Sequence, residues 1–280
     1  MNPQEFYATQ GIISDPGKYG YLFDDLPDDI PSLCKILQGI TLHFAWAERY
    51  GVKLSGDAFR DHRLRTVSRQ LARTLELDPR PLVVARAPEN RLVGNCRDYS
   101  LHLTAILRHK GVPARARCGF ATYFAAGHYE DHWVCQYWNA EQKRWVMVDA
   151  QLDELQRNAI YLKFDTMDIP EGLFLPAADG WIMCRSGKAD PERFGFGDML
   201  GMWYVAGNMI RDLLSLNKVE LTYVDNWGMM PQFRQKEFPP EYLKKMDEIA
   251  AVTRGSNPSL SKIQALCKSK ELAPSPDWQP

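Results

Sequence analysis

The amino-acid sequence predicts an α+β fold, with one helix packed on a small antiparallel sheet and helical extensions on both the N-terminal and C-terminal sides. Three features carry that expectation. Apolar residues recur at helical spacing between positions 33 and 47 and again between 64 and 75. The stretch from about 92 to 149 then changes to one helix followed by short segments rich in aromatic and β-branched residues. Helical patterns return near 201–216 and 240–252, beyond a region punctuated by proline, glycine and aromatic residues. Helices at the ends and strands gathered in the middle favour an α+β layering over alternating βαβ units.

In chain order, Leu33, Ile36, Leu37, Ile40, Phe44 and Ala47 form one apolar stripe of a helix from Ser32 to Tyr50, with Gly51 as its stop. A second helix, Asp57 to Leu77, carries Leu64, Val67, Leu71 and Leu75 and ends before Pro79. The run Gly94-Asn95-Cys96-Arg97-Asp98 reads as a helix start, since Asn95 is a good cap and Asp98 suits the positive first turn. Cys96 is then the first helical residue, and the helix continues through Leu107 to a stop at Gly111, before Pro113. The strand over 112–118 sets Arg115 and Arg117 on one side and Ala114, Ala116 and Cys118 on the other, which predicts a polar strand face. Asp131–Trp138 and Arg144–Asp149, joined by a polar Asn139–Lys143, predict a β-hairpin.

These elements suggest a helical extension over 1–88, a core over 89–160, a second extension packed on the core over 161–270 and a flexible tail over 271–280. With 280 residues, 45% of them hydrophobic and 25% charged, the chain has enough apolar material for a sizeable core. A net charge of −1 disfavours nucleic acid as a partner, because such binding draws on concentrated basic charge. The start, Met1-Asn2-Pro3-Gln4-Glu5-Phe6, has neither the cationic nor the apolar region of a signal peptide, and no stretch approaches the roughly 18 apolar residues of a membrane span. A cytoplasmic protein without a membrane partner is expected. The cysteines at 34, 96, 118, 135, 184 and 267 include no Cys-x-x-Cys pair, so thiols are expected in place of zinc ligands or disulfides.

Chemistry concentrates in the middle of the chain. A thiol at a helix start meets unpaired N–H groups and the positive dipole end, which favour the thiolate and offer donors to an oxyanion. Pairing the hairpin symmetrically about its loop sets Trp138 opposite Trp145 and Gln136 opposite Met147. His132 and Asp149 then become diagonal neighbours on one face, with Cβ atoms on the order of 7 Å apart. A one-residue slip in register would put them on opposite faces. A helix-start cysteine, an imidazole and a carboxylate to orient it are the parts of a nucleophilic triad. Each has an ordinary reading alone: a buried thiol, a half-buried strand histidine, a turn-forming aspartate.

The segments GNCRDYSLHLTAILRHKGVPARARCGF (94–120), DHWVCQYW (131–138) and RWVMVDAQ (144–151) resemble the core of the transglutaminase-like superfamily. In that family a cysteine at a helix start is followed by two strands bearing histidine and aspartate, a core like that of papain. The flanks resemble those of bacterial transglutaminase-like domain proteins. The resemblance implies Cys96 as nucleophile, His132 as general acid/base and Asp149 as its orienter. It also implies a cysteine hydrolase or acyltransferase that cleaves an amide through an acyl-thioester, with no metal or organic cofactor. The expected partner is an amide-containing small molecule, peptide or protein, and the alternative is a catalytically silent binding or scaffold protein. A second oxyanion donor is not selected by spacing; Asn90, Asn95 and Gln70 are candidates. His128 reads as a solvated loop residue, Arg97, Arg115 and Arg117 as surface charge or an anion grip, and Trp133, Trp138 and Trp145 as cross-strand packing or a cleft lining. The stretch from Trp181 to Tyr204 reads as core, or as a lid.

Overall fold

A computed structural model describes residues 2–274 and 278–280. Among these, the N-terminal part holds α1 (Pro3–Tyr7), α2 (Ile30–Ile40), β1 (Thr41–His43), α3 (Gly56–Arg60), α4 (Val67–Leu77) and β2 (Leu92–Gly94). The middle follows with α5 (Cys96–His109), β3 (Ala114–Ala121), β4 (Tyr129–Asn139), β5 (Arg144–Val148) and α6 (Glu154–Ala159). The rest comprises β6 (Phe174–Pro176), α7 (Ala177–Arg185), β7 (Phe194–Phe196), β8 (Met199–Leu200), α8 (Met202–Leu216), α9 (Pro240–Thr253) and α10 (Leu260–Leu266). This mixture of helix and sheet is consistent with the α+β class.

Two expected helices are shorter than their apolar spacing suggested. The first ends at Ile40, because Thr41–His43 leaves the helix to pair in parallel with Leu92–Gly94; Phe44–Tyr50 then forms a 3₁₀ segment closed by Gly51 at φ 77°. The second is divided at Leu64–Thr66, where the Thr66 side chain accepts from the Arg69 N–H and caps α4. A local cap outcompetes a continuous apolar stripe when it satisfies otherwise orphaned N–H groups.

The main sheet runs β6-β3-β4-β7-β8, with β5 also on β4, and all its pairings are antiparallel except β4 with β7. The hairpin adopts the symmetric register, Trp138 facing Trp145 and Gln136 facing Met147. On one side, α2, α4 and α5 join the sheet through Leu33, Leu37, Leu71, Leu103, Ile106 and Val148. A second cluster unites α7–α10 around Trp181, Met209, Leu213, Ile249 and Ile263.

The strand expected to show a polar face is buried along its whole length. Arg115 donates to Gln136 Oε1 at 2.9 Å and lies 4.0 Å from the Trp145 ring centroid. Arg117 forms a two-pronged pair with Asp212 of α8, both contacts at 2.9 Å. Helix α8 also services the edge of β3 that β6 leaves open: Asp212 Oδ1 accepts from the Cys118 N–H at 3.0 Å, and Ser215 Oγ donates to the Ala116 carbonyl at 2.8 Å. Strand edges must be paired or covered, and here a helix covers one with side-chain hydrogen bonds. Of the 271–280 stretch expected to be a tail, 275–277 lie outside the described residues, Leu272 is buried, and the Trp278 indole donates to Asp225 at 3.0 Å. No described helix is long and apolar enough to cross a membrane.

Asp212→Ala would leave the fully buried Arg117 guanidinium without its counter-charge. A loss of about 3–5 kcal/mol in unfolding free energy is expected, read from urea denaturation at neutral pH. A loss below about 1 kcal/mol would mean that the pair does not hold α8 to the sheet.

Candidate active site

Cys96 is set by the hinge between β2 and α5. Asn95 is the N-cap: its Oδ1 accepts from the Arg97 N–H at 3.0 Å, and Asp98 Oδ2 returns the bond by accepting from the Asn95 N–H at 2.9 Å. Asp98 Oδ1 in turn accepts from Gln70 of α4 at 2.7 Å and from Arg97 at 2.8 Å, so the start of α5 is tied to its neighbours. Gly94 is required here because a Cβ would sit 2.8 Å from Asp98 Oδ2. Every residue from Cys96 to Arg108 is buried, which makes α5 the central helix of the molecule.

His132 and Asp149 meet in a gap of the sheet. On one side of β4, Cys135–Asn139 pair with β5 and Tyr129–Glu130 pair with β7. Between them 131–134 have no strand partner on that side, and the chain leaving β5 turns Asp149 into the opening. His132 Nε2 lies 2.8 Å from Asp149 Oδ2. The same oxygen accepts from the Tyr123 hydroxyl at 2.8 Å, while Oδ1 accepts from the Gln151 N–H at 3.0 Å. The rings of Tyr123 and Phe124 pack edge-on against the imidazole, with centroids 6.0 and 5.0 Å away. With Nε2 engaged by Asp149, Nδ1 is the nitrogen left to exchange a proton with Cys96.

Burial pushes the Cys96 thiol up, opposed by a hydrogen bond and positive charge from His132. The helix start favours the thiolate, as the sequence suggested, but burial of the sulfur outweighs it. Burial works against the His132 imidazolium too, yet the Asp149 charge and hydrogen bond prevail and raise its pKa to about 10. Nearby His43, on β1 and paired in register with Gly94, is lowered to about 3 by burial and by the charge of His132. His43 Nδ1 accepts from the Ala45 N–H at 3.2 Å, so the neutral ring carries its proton on Nε2.

Cys96 and His132 line a cleft of about 830 Å³ whose other walls include Phe44, Trp46, Phe196 and Trp203. Tyr223, on the segment after α8, places its hydroxyl 3.9 Å from Cys96 Sγ and accepts there from the Trp133 indole at 2.9 Å. Of the other residues singled out in the sequence, Gln70 is spent on Asp98 and on the Leu64 carbonyl, and Asn90 is exposed on a 3₁₀ turn. His128 pairs with Glu130 at 3.0 Å. Arg97 is buried against Asp98 and the Glu220 carbonyl, so none of the three arginines weighed as an anion grip is free to act as one. Trp138 and Trp145 pack edge to face, while Trp181 is core and Phe196 to Tyr204 contribute to the cleft wall. Sequence reasoning missed His43, Tyr123 and Tyr223. Tyr123 left one faint signal, an aromatic pair (Tyr123-Phe124) in the loop between two strands; His43 and Tyr223 reach the site from remote parts of the chain and left none.

His132→Gln removes the group that holds the thiol pKa down, so the pH midpoint for carbamidomethylation of Cys96, followed by peptide mass mapping, should move to higher pH than in the wild type. An unchanged midpoint would detach the imidazole from the thiol. The raised His132 pKa also makes stability pH-dependent. Its contribution is present in full below the unfolded value of 6.5 and is lost as pH rises through about 10. The stability advantage of the wild type over Asp149→Asn, measured by denaturant titration, should therefore shrink across that window.

No curated protein and no solved structure matches the chain. The family model of the transglutaminase-like superfamily does match, over residues 60–150. That span contains the capped start of α5, the β4–β5 hairpin and all three of Cys96, His132 and Asp149, so the part of the chain that holds the candidate site is similar to the core of the transglutaminase-like superfamily.

Proposed function

We propose that the chain is a cysteine-nucleophile hydrolase or acyltransferase acting on a carboxamide or peptide-like bond, with Cys96, His132 and Asp149 as a papain-like triad. The observation that carries this reading is the 2.8 Å contact between His132 and a carboxylate held by two further donors, in a cleft whose wall also contains a helix-start thiol. The superfamily is one of generally cysteine-based enzymes, which agrees with it.

In the reaction, Asp149 keeps the imidazole oriented through Nε2 and stabilises its cationic form. His132 is already an imidazolium protonated on Nδ1 at neutral pH, so the Cys96 thiol gives its proton to solvent and the resulting thiolate, held by that imidazolium, attacks the carbonyl carbon, turning the C=O into a tetrahedral oxyanion. The Cys96 backbone N–H and the Tyr223 hydroxyl are the donors for that charge: Trp133 donates to the phenol oxygen, and the phenol proton, which faces Asp131, turns from it to the oxyanion. Burial holds the Tyr223 pKa well above its ordinary value, so the phenol stays a donor. Collapse breaks the C–N bond, and the imidazolium gives its proton to the departing amine. Water or an acceptor amine then attacks the thioester, losing a proton to His132, and collapse expels the Cys96 thiolate, which restores the thiolate–imidazolium pair. A silent binding protein is the competing reading, motivated by the burial of Cys96, which is only 5% exposed.

Incubation with cell extract followed by intact-protein mass analysis should reveal an acyl adduct on Cys96 that Cys96→Ala lacks, and the added mass reports the acyl donor. Full retention of the cellular role by Cys96→Ala would establish the silent reading instead. Once a substrate is in hand, Tyr223→Phe should lower kcat on the order of 10²-fold with little change in KM, the signature of a lost oxyanion donor.

A further inference from the structure

Helix α8 turns one stripe towards the cleft: Tyr204, Gly207 and Arg211, at i, i+3 and i+7. The acidic side chains in the cleft wall already have partners. Asp131 accepts from the Tyr204 hydroxyl at 3.0 Å and from Asn208 Nδ2 at 2.6 Å. Asp225 is taken up by Arg65, Thr222 and Trp278, and Glu130 by His128. Arg211 differs. Its only side-chain hydrogen bond among the described residues is a 3.3 Å contact from one terminal nitrogen to Asn208 Oδ1; Asp131 feels its charge but forms no direct ion pair with it, and its Nε is buried without an acceptor. A half-buried guanidinium with an orphaned donor is costly unless an anion completes it.

Its posture is built in. The guanidinium lies over the Tyr223 ring, with Cζ 5.0 Å from the centroid, and a Cβ on Gly207 would come within 2.9 Å of its terminal nitrogen. Tyr223 thus spans the space between cation and nucleophile, its ring face under Arg211 and its hydroxyl 3.9 Å from Cys96 Sγ. The rim beyond is apolar: Phe233 and Phe59 are 65% and 39% exposed at the mouth, and Trp203 packs against Phe233 with centroids 5.1 Å apart.

We propose that Arg211 receives a carboxylate of the substrate. The cleft then selects amides whose acyl part joins an aromatic or bulky apolar group to a negative charge, set about one phenol ring from the scissile carbonyl. This rests on the cleft being the substrate site of the enzyme proposed above. The carboxylate would pair with the terminal N–H groups of the guanidinium, which face the cleft, and the apolar body would cover the aromatic rim.

The test separates binding from catalysis by using the full chain with Cys96→Ala, titrated calorimetrically with 3-phenylpropionate and with its neutral amide, 3-phenylpropanamide. The acid should bind about tenfold tighter or more, as one charge-assisted pair in a partly dry site provides. Adding Arg211→Gln should erase that preference, and Arg211→Lys should keep only part of it, because an ammonium supplies charge without the fork. If the glutamine variant does not fold, the lysine variant decides, and an unchanged preference in it overturns the proposal. Equal binding of acid and amide, no binding of either, or a preference that survives Arg211→Gln also overturns it. A charge preference without any acyl adduct on wild-type Cys96 would retain the anion site and dismiss the enzyme reading. An adduct with no charge preference would do the reverse.

Discussion

A strand cannot pair with two partners at the same positions, and the site is organised around how β4 resolves this. It pairs with β5 over Cys135–Asn139 and with β7 over Tyr129–Glu130, leaving 131–134 without a strand on that side. Into the opening come His132, the Asp149 carboxylate and the loop aromatics Tyr123 and Phe124. A continuous ladder would have filled this space with backbone and left no route from a buried imidazole to a cleft. Because Asp149 is fully buried and holds three donors, its position follows from the sheet, and the His132 charge follows from its position.

The second support is the start of α5. A capping box fixes the first turn, Gln70 ties it to α4, and Gly94 permits the close approach of Asp98. The buried arginines of this helix have charged or carbonyl partners: Arg97 a carboxylate and carbonyls, Arg108 Ser14, Glu220 and the Ala114 carbonyl. A central helix carrying charged residues is tolerable only with such partners. The result is a rigid platform at the thiol, as a nucleophile aimed at one carbonyl requires.

The C-terminal third gives the cleft its character. Helix α8 covers the open edge of β3 with Asp212 and Ser215, and its earlier turns hold Asp131 and present Arg211. The segment after it delivers Tyr223 to the sulfur. One helix therefore serves both stability and recognition, which couples the packing of this region to the chemistry at Cys96.

What the sequence by itself determined is local. Asn95 and Asp98 around Cys96 specify a capped helix start, and two aromatic-rich runs about a polar loop specify a hairpin in symmetric register, whose ladder stops at Cys135–Val148 before it reaches His132 and Asp149; both depend on residues a few positions apart. The long helices α8 and α9 were legible for the same reason, whereas the two- and three-residue strands β1, β2, β6, β7 and β8 are too short to show any period. Only the tertiary structure decided that β3 is buried on both sides, that Arg117 is a structural partner of Asp212, and that burial raises the Cys96 thiol. The same holds for His43, Tyr223 and Arg211, which reach the cleft from positions far along the chain. Desolvation and long-range pairing depend on what the rest of the chain places around a residue, and no window of neighbouring letters contains that information.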